Sequence, residues 1–267
     1  MPEPAPEFGN IRDAERALAC LDLTDLGEAA TEDDALRLCA AAVAPRRVAA
    51  VCLWPRFVAA ARRRLAGSGV KVATVANFPS GEERPGKVRG AILAMLDEGA
   101  DEIDMVIPYR RLIAGRPRTV TTLLRMARAT IGARATFKVI LETGEYPNEG
   151  LIADAARRAI GEGADFLKTS TGKSKLSATP QAARLLLEAA RAAARPVGVK
   201  ISGGVRSLAD ASTYLALADE IMGPAWVKPS HFRFGASSLR DALLARLGNG
   251  TQGLGARDEA GARRHAY

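Results

Sequence analysis

Eight short apolar runs, each followed by a stretch with helical periodicity, constrain the fold of this 267-residue chain more than any other feature. Successive runs begin about 22 to 35 residues apart, which is the length of one strand and one helix. Their apolar character is continuous rather than alternating, as is typical of parallel strands that are buried on both faces. The runs are Leu21–Thr24, Ala49–Leu53, Lys71–Asn77, Glu102–Ile107, Phe137–Glu142, Phe166–Ser170, Val197–Ser202 and Phe232–Gly235.

Eight such units predict an α/β protein with the (β/α)8 TIM-barrel fold, formed as a single domain by residues 11–247. A helical segment, Ile11–Ala19, comes before the first strand. A doubly wound open sheet is the alternative, but no Gly-x-Gly-x-x-Gly motif follows the first strand, as a dinucleotide site would require. Residues 1–10, rich in Pro and Glu, are predicted to form a flexible N-terminal segment, and residues 248–267 a flexible C-terminal tail.

The chain is basic, with a formal net charge of +8 at pH 7 and a pI near 9.7. A basic protein can bind nucleic acid, but here the arginines are spread over helical faces and the C-terminal residues rather than gathered in one run with interleaved aromatic residues. A solvated surface whose charge favours small anionic substrates is the better interpretation. We therefore expect no nucleic-acid partner.

Metal ligands and membrane segments are both absent from the sequence pattern. The three cysteines cannot all pair, and they and the two histidines, His231 and His265, form no cluster with metal-ligand spacing. The N-terminus has no signal-peptide pattern, and no apolar stretch reaches the roughly 20 residues that span a membrane. These observations predict a soluble cytoplasmic protein with free thiols, no metal and no membrane partner.

Lysine is used sparingly, and its positions are unusual. The chain has 8 Lys against 30 Arg, yet Lys138, Lys168 and Lys200 all lie inside apolar runs. A structural ion pair is the simplest explanation, because a buried ammonium needs a partner or a shifted pKa. However, Arg fills most cationic positions and cannot form an imine, whereas a desolvated Lys loses its proton readily and attacks carbonyl carbons. The pattern therefore indicates amine chemistry.

An internal repeat predicts which carboxylate lies beside the amine. Residues 98–101, Glu-Gly-Ala-Asp, lead into a strand that carries Asp104, and residues 162–165, with the same four amino acids, lead into a strand that carries Lys168. Aligning the two copies places Asp104 and Lys168 at the same strand position. Both side chains are therefore expected to point into the barrel at equivalent heights, as neighbours in one cavity.

Side chains late in the strands are the candidates for chemistry, because the active face of a barrel is formed by the strand C-termini and the loops that follow. Two lysines at strand ends with few carboxylates imply that one amine is affected by the positive charge of the other, which lowers its pKa. Such an amine forms an imine that draws electrons from an adjacent carbon–carbon bond, and Asp104 can transfer the protons. The candidates are Asp22, Thr24, Cys52, Asp104, Lys138, Lys168 and Lys200.

Glycine-containing loops after strands six, seven and eight have the composition of a phosphate site. Gly172-Lys173 and Gly203-Gly204 follow two of these strands, and Gly235-Ala236-Ser237-Ser238 opens the last helix, with serine expected as its N-cap. Backbone N–H groups in such loops and at a helix N-terminus bind anions. One such glycine segment is weak support, since turns use glycine anyway, but three of them in the late loops favour an anion site.

The chain as a whole resembles the deoxyribose-phosphate aldolases, over roughly residues 20 to 247. The joint occurrence of seven sequence blocks in this order is highly specific. The blocks are Leu21–Thr24, Asn77–Pro79, Glu102–Pro108, Lys138–Gly144, Phe166–Lys173, Val199–Arg206 and Arg233–Ser238.

The resemblance implies a cofactor-independent class I aldolase, acting as a homodimer on a small phosphorylated sugar, 2-deoxy-D-ribose 5-phosphate, with acetaldehyde and D-glyceraldehyde 3-phosphate as products. It implies that Lys168 is the Schiff-base lysine, that Lys200 depresses its pKa, and that Asp104 is the proton-transfer acid. Asp22 would be the carboxylate beside Lys200, with Lys138 as an electrostatic partner of nearby carboxylates and Tyr267 as a further proton-transfer group. Substrate and phosphate contacts would come from Thr171, Gly172, Lys173, Gly203, Gly204, Gly235, Ser237 and Ser238.

Two other functions are compatible with the residues. One is a class I aldolase or transaldolase-like lyase that uses a different phosphorylated sugar. The other is a basic protein that binds phosphate or nucleic acid on a barrel scaffold without catalysing a reaction.

Overall fold

Eight parallel strands close into a barrel in the computed structural model, which describes residues 10–248. Each strand pairs with the next one along the chain, and the last pairs with the first. The strands are β1 Leu21–Asp25, β2 Ala50–Leu53, β3 Lys71–Ala76, β4 Glu102–Val106, β5 Thr136–Ile140, β6 Phe166–Lys168, β7 Gly198–Ser202 and β8 Phe232–Ala236.

Helices follow each strand and cover the outside of the barrel, and one further helix precedes β1 and packs against the last two. Short 3-10 turns, Pro55–Phe57 and Thr143–Glu145, follow β2 and β5. The helices of the described residues are α1 Ile11–Ala19, α2 Glu32–Val43, α3 Val58–Arg64, α4 Pro85–Asp97, α5 Tyr109–Ile113, α6 Pro117–Ile131, α7 Glu149–Gly161, α8 Pro180–Arg191, α9 Leu208–Met222 and α10 Leu239–Arg246.

Local sequence explains where these helices begin and which face they bury. Thr31 and Ser207 cap α2 and α9 in capping boxes, in which the serine or threonine hydroxyl and an aspartate three residues later bond each other's backbone N–H groups. Helix α8 starts with proline and buries Leu186 and Leu187 against the sheet side of the fold. Burying each leucine stabilises the fold by about 1.5–3 kcal/mol. No helix between residues 10 and 248 is long and apolar enough to cross a membrane.

The predicted barrel is confirmed, and the closed sheet rules out the doubly wound alternative. Strand bounds differ from prediction by one or two residues. For example, β6 ends at Lys168 rather than Ser170, and three residues further on the Thr171 N–H donates to the side chain of Glu142 rather than to a strand. The predicted terminal segments lie outside the described residues except for Asn10, which caps α1, and Gly248. Tyr267 also lies outside them.

The barrel interior has an apolar side and a charged side. Strands β2 and β3 contribute Cys52, Ala73 and Val75, which pack with Leu26 in a small apolar cluster. The charged side chains come from the other six strands, and each is at most 5% exposed. We call them the interior charge cluster: Asp22, Glu102, Asp104, Lys138, Lys168, Lys200 and Arg233.

Candidate active site

Asp104 is the centre of the interior charge cluster, because three lysines donate to its carboxylate. Lys168 Nζ and Lys200 Nζ both donate to Oδ2, at 2.7 and 2.8 Å, and Lys138 Nζ donates to Oδ1 at 2.9 Å. Lys200 also donates to Asp22 Oδ2 at 2.5 Å. The structure thus brings together the five residues of the cluster that the sequence singled out, including the Asp104–Lys168 pair implied by the internal repeat.

Glu102 and Arg233 complete the cluster, and sequence reasoning missed both. Glu102 contacts Lys138 Nζ, and its Oε1 accepts a hydrogen bond of 2.8 Å from Arg233 Nη2. Arg233 Nη1 donates to Asp22 Oδ1 at 2.5 Å, and the guanidinium lies 5.8 Å from the centre of the Phe166 ring. A period-two pattern was the available signal for Glu102, which lies two residues before Asp104 and therefore shares its face of β4.

The cluster contains one more cation than carboxylates. Its four basic groups are three lysines and Arg233, and its three carboxylates are Asp22, Glu102 and Asp104. Lys138, Lys200 and Arg233 each lie within 4 Å of at least two carboxylates. Lys168 has one such partner, Asp104, which it shares with the other lysines. Deprotonation of Lys168 therefore breaks fewer ion pairs than deprotonation of any other cation in the cluster.

The pKa of Lys168 is accordingly lowered, whereas the pKa values of the other two lysines are raised. Burial is the largest cause at Lys168, and the charge of Lys200 adds to it, while Asp104 acts in the opposite direction. Burial also opposes the charge of Lys138 and Lys200, but the carboxylates around them outweigh it. The sequence predicted that like-charge repulsion lowers this pKa, whereas in the structure burial of the amine is the larger cause.

Both aspartates are ionised in the resting site. Burial alone would raise the pKa of Asp104, but Lys138, Lys168 and Lys200 together hold it well below its usual value. At Asp22, burial is outweighed by Arg233 and Lys200, which lower the pKa. An ionised Asp104 is able to accept a proton and to return it later.

A cavity of about 400 Å³ opens over the C-terminal end of the barrel, and every residue predicted for the phosphate and substrate hydroxyls lines it. Its wall includes Ser202 and Gly235, which lie two residues beyond Lys200 and Arg233 on β7 and β8. A Cβ atom on Gly235 would lie 2.6 Å from Ser202 Oγ and 2.9 Å from Lys200 Cε, so only glycine leaves this space open. The predicted lining residues are Thr171, Gly172, Lys173, Gly203, Gly204, Gly235, Ser237 and Ser238.

The loops around this cavity have the backbone that an anion site needs. Gly172, Gly203 and Gly204 have φ of +78°, +87° and +87°, a left-handed conformation that favours glycine. The predicted serine N-cap is confirmed at Ser238, which occupies the N-cap position of α10, although its hydroxyl makes no capping hydrogen bond. Its backbone is helical, with φ −98° and ψ −14°, rather than extended as in a capping serine.

Glu142 anchors the loop after β6, which sequence reasoning also missed. Its carboxylate accepts hydrogen bonds from Thr171 Oγ1 at 2.6 Å, Thr171 N at 3.2 Å and Ser174 Oγ at 3.0 Å. Glu142 itself has φ +59° and ψ +57°, a strained conformation for a residue other than glycine. In the same loop Lys173 Nζ donates to the carbonyl of Leu26 at 2.9 Å, across the cavity mouth.

Cys52 lies in the apolar cluster, and burial raises the pKa of its thiol. It is therefore a small buried hydrophobic residue rather than a thiolate nucleophile. Among residues 10–248, no three His, Cys, Asp or Glu side chains are grouped so that they could hold a metal ion.

Comparison with known proteins matches the chain to aldolases. The family model described as DeoC/LacD family aldolase matches residues 17–245. The chain is 45% identical to the deoxyribose-phosphate aldolase of Agrobacterium fabrum over 235 residues, which is 87% of this chain and 91% of that protein.

Solved structures show the same fold. A candidate deoxyribose-phosphate aldolase from Toxoplasma gondii ME49 superposes with a TM-score of 0.81 at 28% identity, covering 88% of this chain and 96% of that one. Another, from Coccidioides immitis, superposes with a TM-score of 0.75 at 28% identity, covering 88% of this chain and 85% of that one. The chain thus belongs to the DeoC/LacD family of aldolases, and it is a carbon–carbon lyase.

Proposed function

We propose that this enzyme is a deoxyribose-phosphate aldolase, which reversibly cleaves 2-deoxy-D-ribose 5-phosphate to D-glyceraldehyde 3-phosphate and acetaldehyde. The observation that carries the proposal is the state of Lys168, a buried amine with a lowered pKa and one shared carboxylate partner. The name of the 45% identical relative supports the choice of substrate. The cavity at the C-terminal end of the barrel, with its glycine loops, supports a phosphorylated substrate.

The first half of the reaction forms the imine. The free amine of Lys168 attacks the aldehyde carbon C1 of the open-chain sugar, and the resulting carbinolamine loses water to give a protonated imine. Loss of hydroxide from carbon requires a proton, and Asp104, which contacts Lys168 Nζ at 2.7 Å, can accept the proton released by the amine and deliver it to the leaving oxygen.

The second half breaks the C2–C3 bond. Its electron pair moves into the protonated imine and gives an enamine, while the C3 hydroxyl loses its proton and becomes the aldehyde of D-glyceraldehyde 3-phosphate. The enamine then takes a proton at its terminal carbon, and water hydrolyses the imine to release acetaldehyde and the free amine. The water lost in the first half is thus replaced in the second.

The cavity loops would hold the 5-phosphate away from the amine. Backbone N–H groups at Gly172, Gly203 and Gly204 and the N-terminus of α10 are suitable donors, and Lys173 supplies a cation. Binding energy from this remote group would be used to orient C1 at Lys168. We also expect the enzyme to act in deoxyribonucleoside catabolism in the cytoplasm, as a homodimer. Tyr267 stays a predicted proton-transfer group.

Borohydride reduction in the presence of acetaldehyde tests the proposal. We expect an N-ethyl group on Lys168, located by peptide mass spectrometry, and cleavage of 2-deoxy-D-ribose 5-phosphate in a coupled assay. Lys168→Arg is the control and should remain unmodified at this position. Capture with a phosphorylated ketose but not with acetaldehyde would indicate an aldolase with another donor, and no capture with either would contradict the Schiff-base proposal.

A further inference from the structure

Arg233 and Glu102 lie in the barrel interior but outside the cavity that the substrate would enter. Neither residue lines the cavity at the C-terminal end of the barrel. Glu102, the first residue of β4, lines a separate cavity of about 450 Å³ at the opposite end, together with Thr136 and Asp165. Within the described ion pairs, Lys168 contacts Asp104, whereas Arg233 and Glu102 contact Asp22, Lys138 and each other, although they are 5% and 3% exposed and costly to bury.

Arg233 and Glu102 are nevertheless tied to Lys168 through other charged groups. Arg233 bonds Asp22, which accepts a hydrogen bond from Lys200, and Lys200 shares Asp104 Oδ2 with Lys168. On the other side, Glu102 contacts Lys138, which donates to Asp104 Oδ1. A change of charge at either residue acts on the same carboxylate that holds the amine.

Inside the barrel, the titratable groups that face this network come from seven of the eight strands and the residue before β1, while β3 contributes the apolar side chains of Ala73 and Val75. The groups are Cys20 before β1, Asp22 from β1, Cys52 from β2, Glu102 and Asp104 from β4, Lys138 from β5, Lys168 from β6, Lys200 from β7 and Arg233 from β8. At the opposite end of the barrel, the charged groups that line the cavity with Glu102 are Lys71 of β3, Asp101, Arg128, Arg134 and Asp165.

We propose that Arg233 and Glu102 are positioning residues that set the balance of charges in the barrel interior, so that Lys168 is the group that gives up its proton. The proposal rests on the Schiff-base role of Lys168 proposed above. With four cations and three carboxylates, the network is neutral only when one cation is discharged. Both cysteines facing it remain neutral, since burial raises the pKa of each.

The two residues have opposite effects in this balance. Removing Arg233 leaves three lysines and three carboxylates, so a protonated Lys168 makes the network neutral and its proton is held more tightly. Removing Glu102 leaves four cations and two carboxylates, so the proton is lost more easily. Removing both restores an excess of one cation, as in the unmodified protein.

The test is the pH dependence of acetaldehyde trapping by borohydride in Arg233→Gln, Glu102→Gln and the double variant. Trapping needs the free amine, so its acid limb should move to higher pH in Arg233→Gln and to lower pH in Glu102→Gln. The expected shift is roughly one pH unit each way, the size that one charge several ångströms away produces at an effective dielectric constant of about 20. In the double variant the limb should return to the position of the unmodified protein.

Arg240→Gln is the matched control, because Arg240 is also 5% exposed but bonds Asp241 and the Ala44 carbonyl outside the barrel. Its acid limb should not move. If Arg233→Gln fails to fold, the double variant is compared with Glu102→Gln, and its limb should lie roughly one pH unit higher. The proposal is overturned if the acid limb of trapping stays fixed in Arg233→Gln and Glu102→Gln, or if it moves in the same direction in both. If the unmodified protein traps no acetaldehyde, the proposed function fails instead.

Discussion

A buried lysine can be kept neutral by desolvation, by a neighbouring cation or by both, and Lys168 has both. Burial comes first and the charge of Lys200 second, while Asp104 favours the protonated form. Arg233, two strands away on β8, shows the opposite outcome, since Asp22 and Glu102 outweigh burial and raise its pKa. The number of carboxylates in contact with each buried cation therefore decides which one has a lowered pKa, and that cation is Lys168.

The first prediction concerns Lys168 itself. Lys168→Arg keeps a positive charge beside Asp104 but cannot form an imine, so aldol cleavage should fall by at least about 10³-fold. The measurement is kcat for 2-deoxy-D-ribose 5-phosphate, with circular dichroism to show that the fold is retained. Cleavage within tenfold of the unmodified rate, about 1.4 kcal/mol in activation free energy, would exclude the Schiff-base role.

Gly235 provides a test of the space above the amines. In Gly235→Ala the new Cβ would lie 2.6 Å from Ser202 Oγ and 2.9 Å from Lys200 Cε, so one of them must shift. We expect kcat/KM to fall by about ten- to a hundredfold, because small displacements of catalytic groups are costly. Gly86→Ala on α4 is the control, since nothing lies within 4 Å of a Cβ there. Equal activity of the two variants would contradict this role for Gly235.

At the scale of elements, the loop after β6 depends on a residue of the preceding strand–loop junction. Glu142 holds Thr171 and Ser174, on either side of Gly172 and Lys173. Glu142→Gln keeps the size of the side chain but loses a charge-assisted acceptor, so the loop should hold the phosphate less well. We expect KM for 2-deoxy-D-ribose 5-phosphate to rise about five- to tenfold, while the much slower cleavage of unphosphorylated 2-deoxyribose changes little.

The matched control is Glu145→Gln, because Glu145 lies three residues after Glu142, in the 3-10 turn that follows β5, and is exposed. In steady-state kinetics, Glu145→Gln should have the same KM for each sugar as the unmodified protein. If Glu142→Gln raised KM for both sugars to the same degree, the residue would support the fold of the site as a whole rather than the phosphate loop.

At the scale of elements, features that depend on a local sequence pattern could be predicted from the sequence. Contacts that exist only because the barrel closes could not. The strand–helix period predicted eight units, and the repeated Glu-Gly-Ala-Asp aligned Asp104 with Lys168. The contact between Glu102 and Arg233, 131 residues apart, exists because the barrel brings the far sides of the sheet together. No local pattern carries that information.

Backbone conformation was the other gap between sequence and site. Glu142 adopts left-handed dihedral angles, which glycine, asparagine or aspartate would have signalled, so nothing in the residue type pointed to its role. Ser238 stands where a capping serine is expected, but a helical backbone at that position removes the geometry on which capping depends.

At the scale of the whole molecule, the interior charge cluster replaces part of what would otherwise be an apolar barrel core. Most barrel interiors are filled by branched apolar side chains, whereas this one buries seven ionisable groups beside the apolar cluster of Cys52, Ala73 and Val75. The apolar layer between the strands and the outer helices supplies the stability that such an interior does not. Burying Lys168 is therefore expected to lower the free energy of unfolding.

The last prediction follows from that cost. Because the pKa of Lys168 is lower in the folded protein, the unfolded chain holds its proton more tightly, and folding must release it at any pH between the lowered value and about 10.4. The resulting loss of stability is greatest at the low-pH end of this window and vanishes as the pH approaches about 10.4. Lys168→Met should remove the loss and stabilise the protein by about 1–3 kcal/mol near neutral pH.

Thermal unfolding measured across pH tests this, and each kcal/mol should raise Tm by about 2–4 °C in a chain of this size. Lys200→Met is the contrasting variant. The pKa of Lys200 is raised by Asp104 and Asp22, so its charge stabilises the fold below about pH 10.4, and its loss leaves Asp22 and Asp104 with fewer partners. We expect it to destabilise the protein by about 3–5 kcal/mol. A Tm that falls equally in both variants would mean that Lys168 is held as a structural ion pair rather than as a free amine.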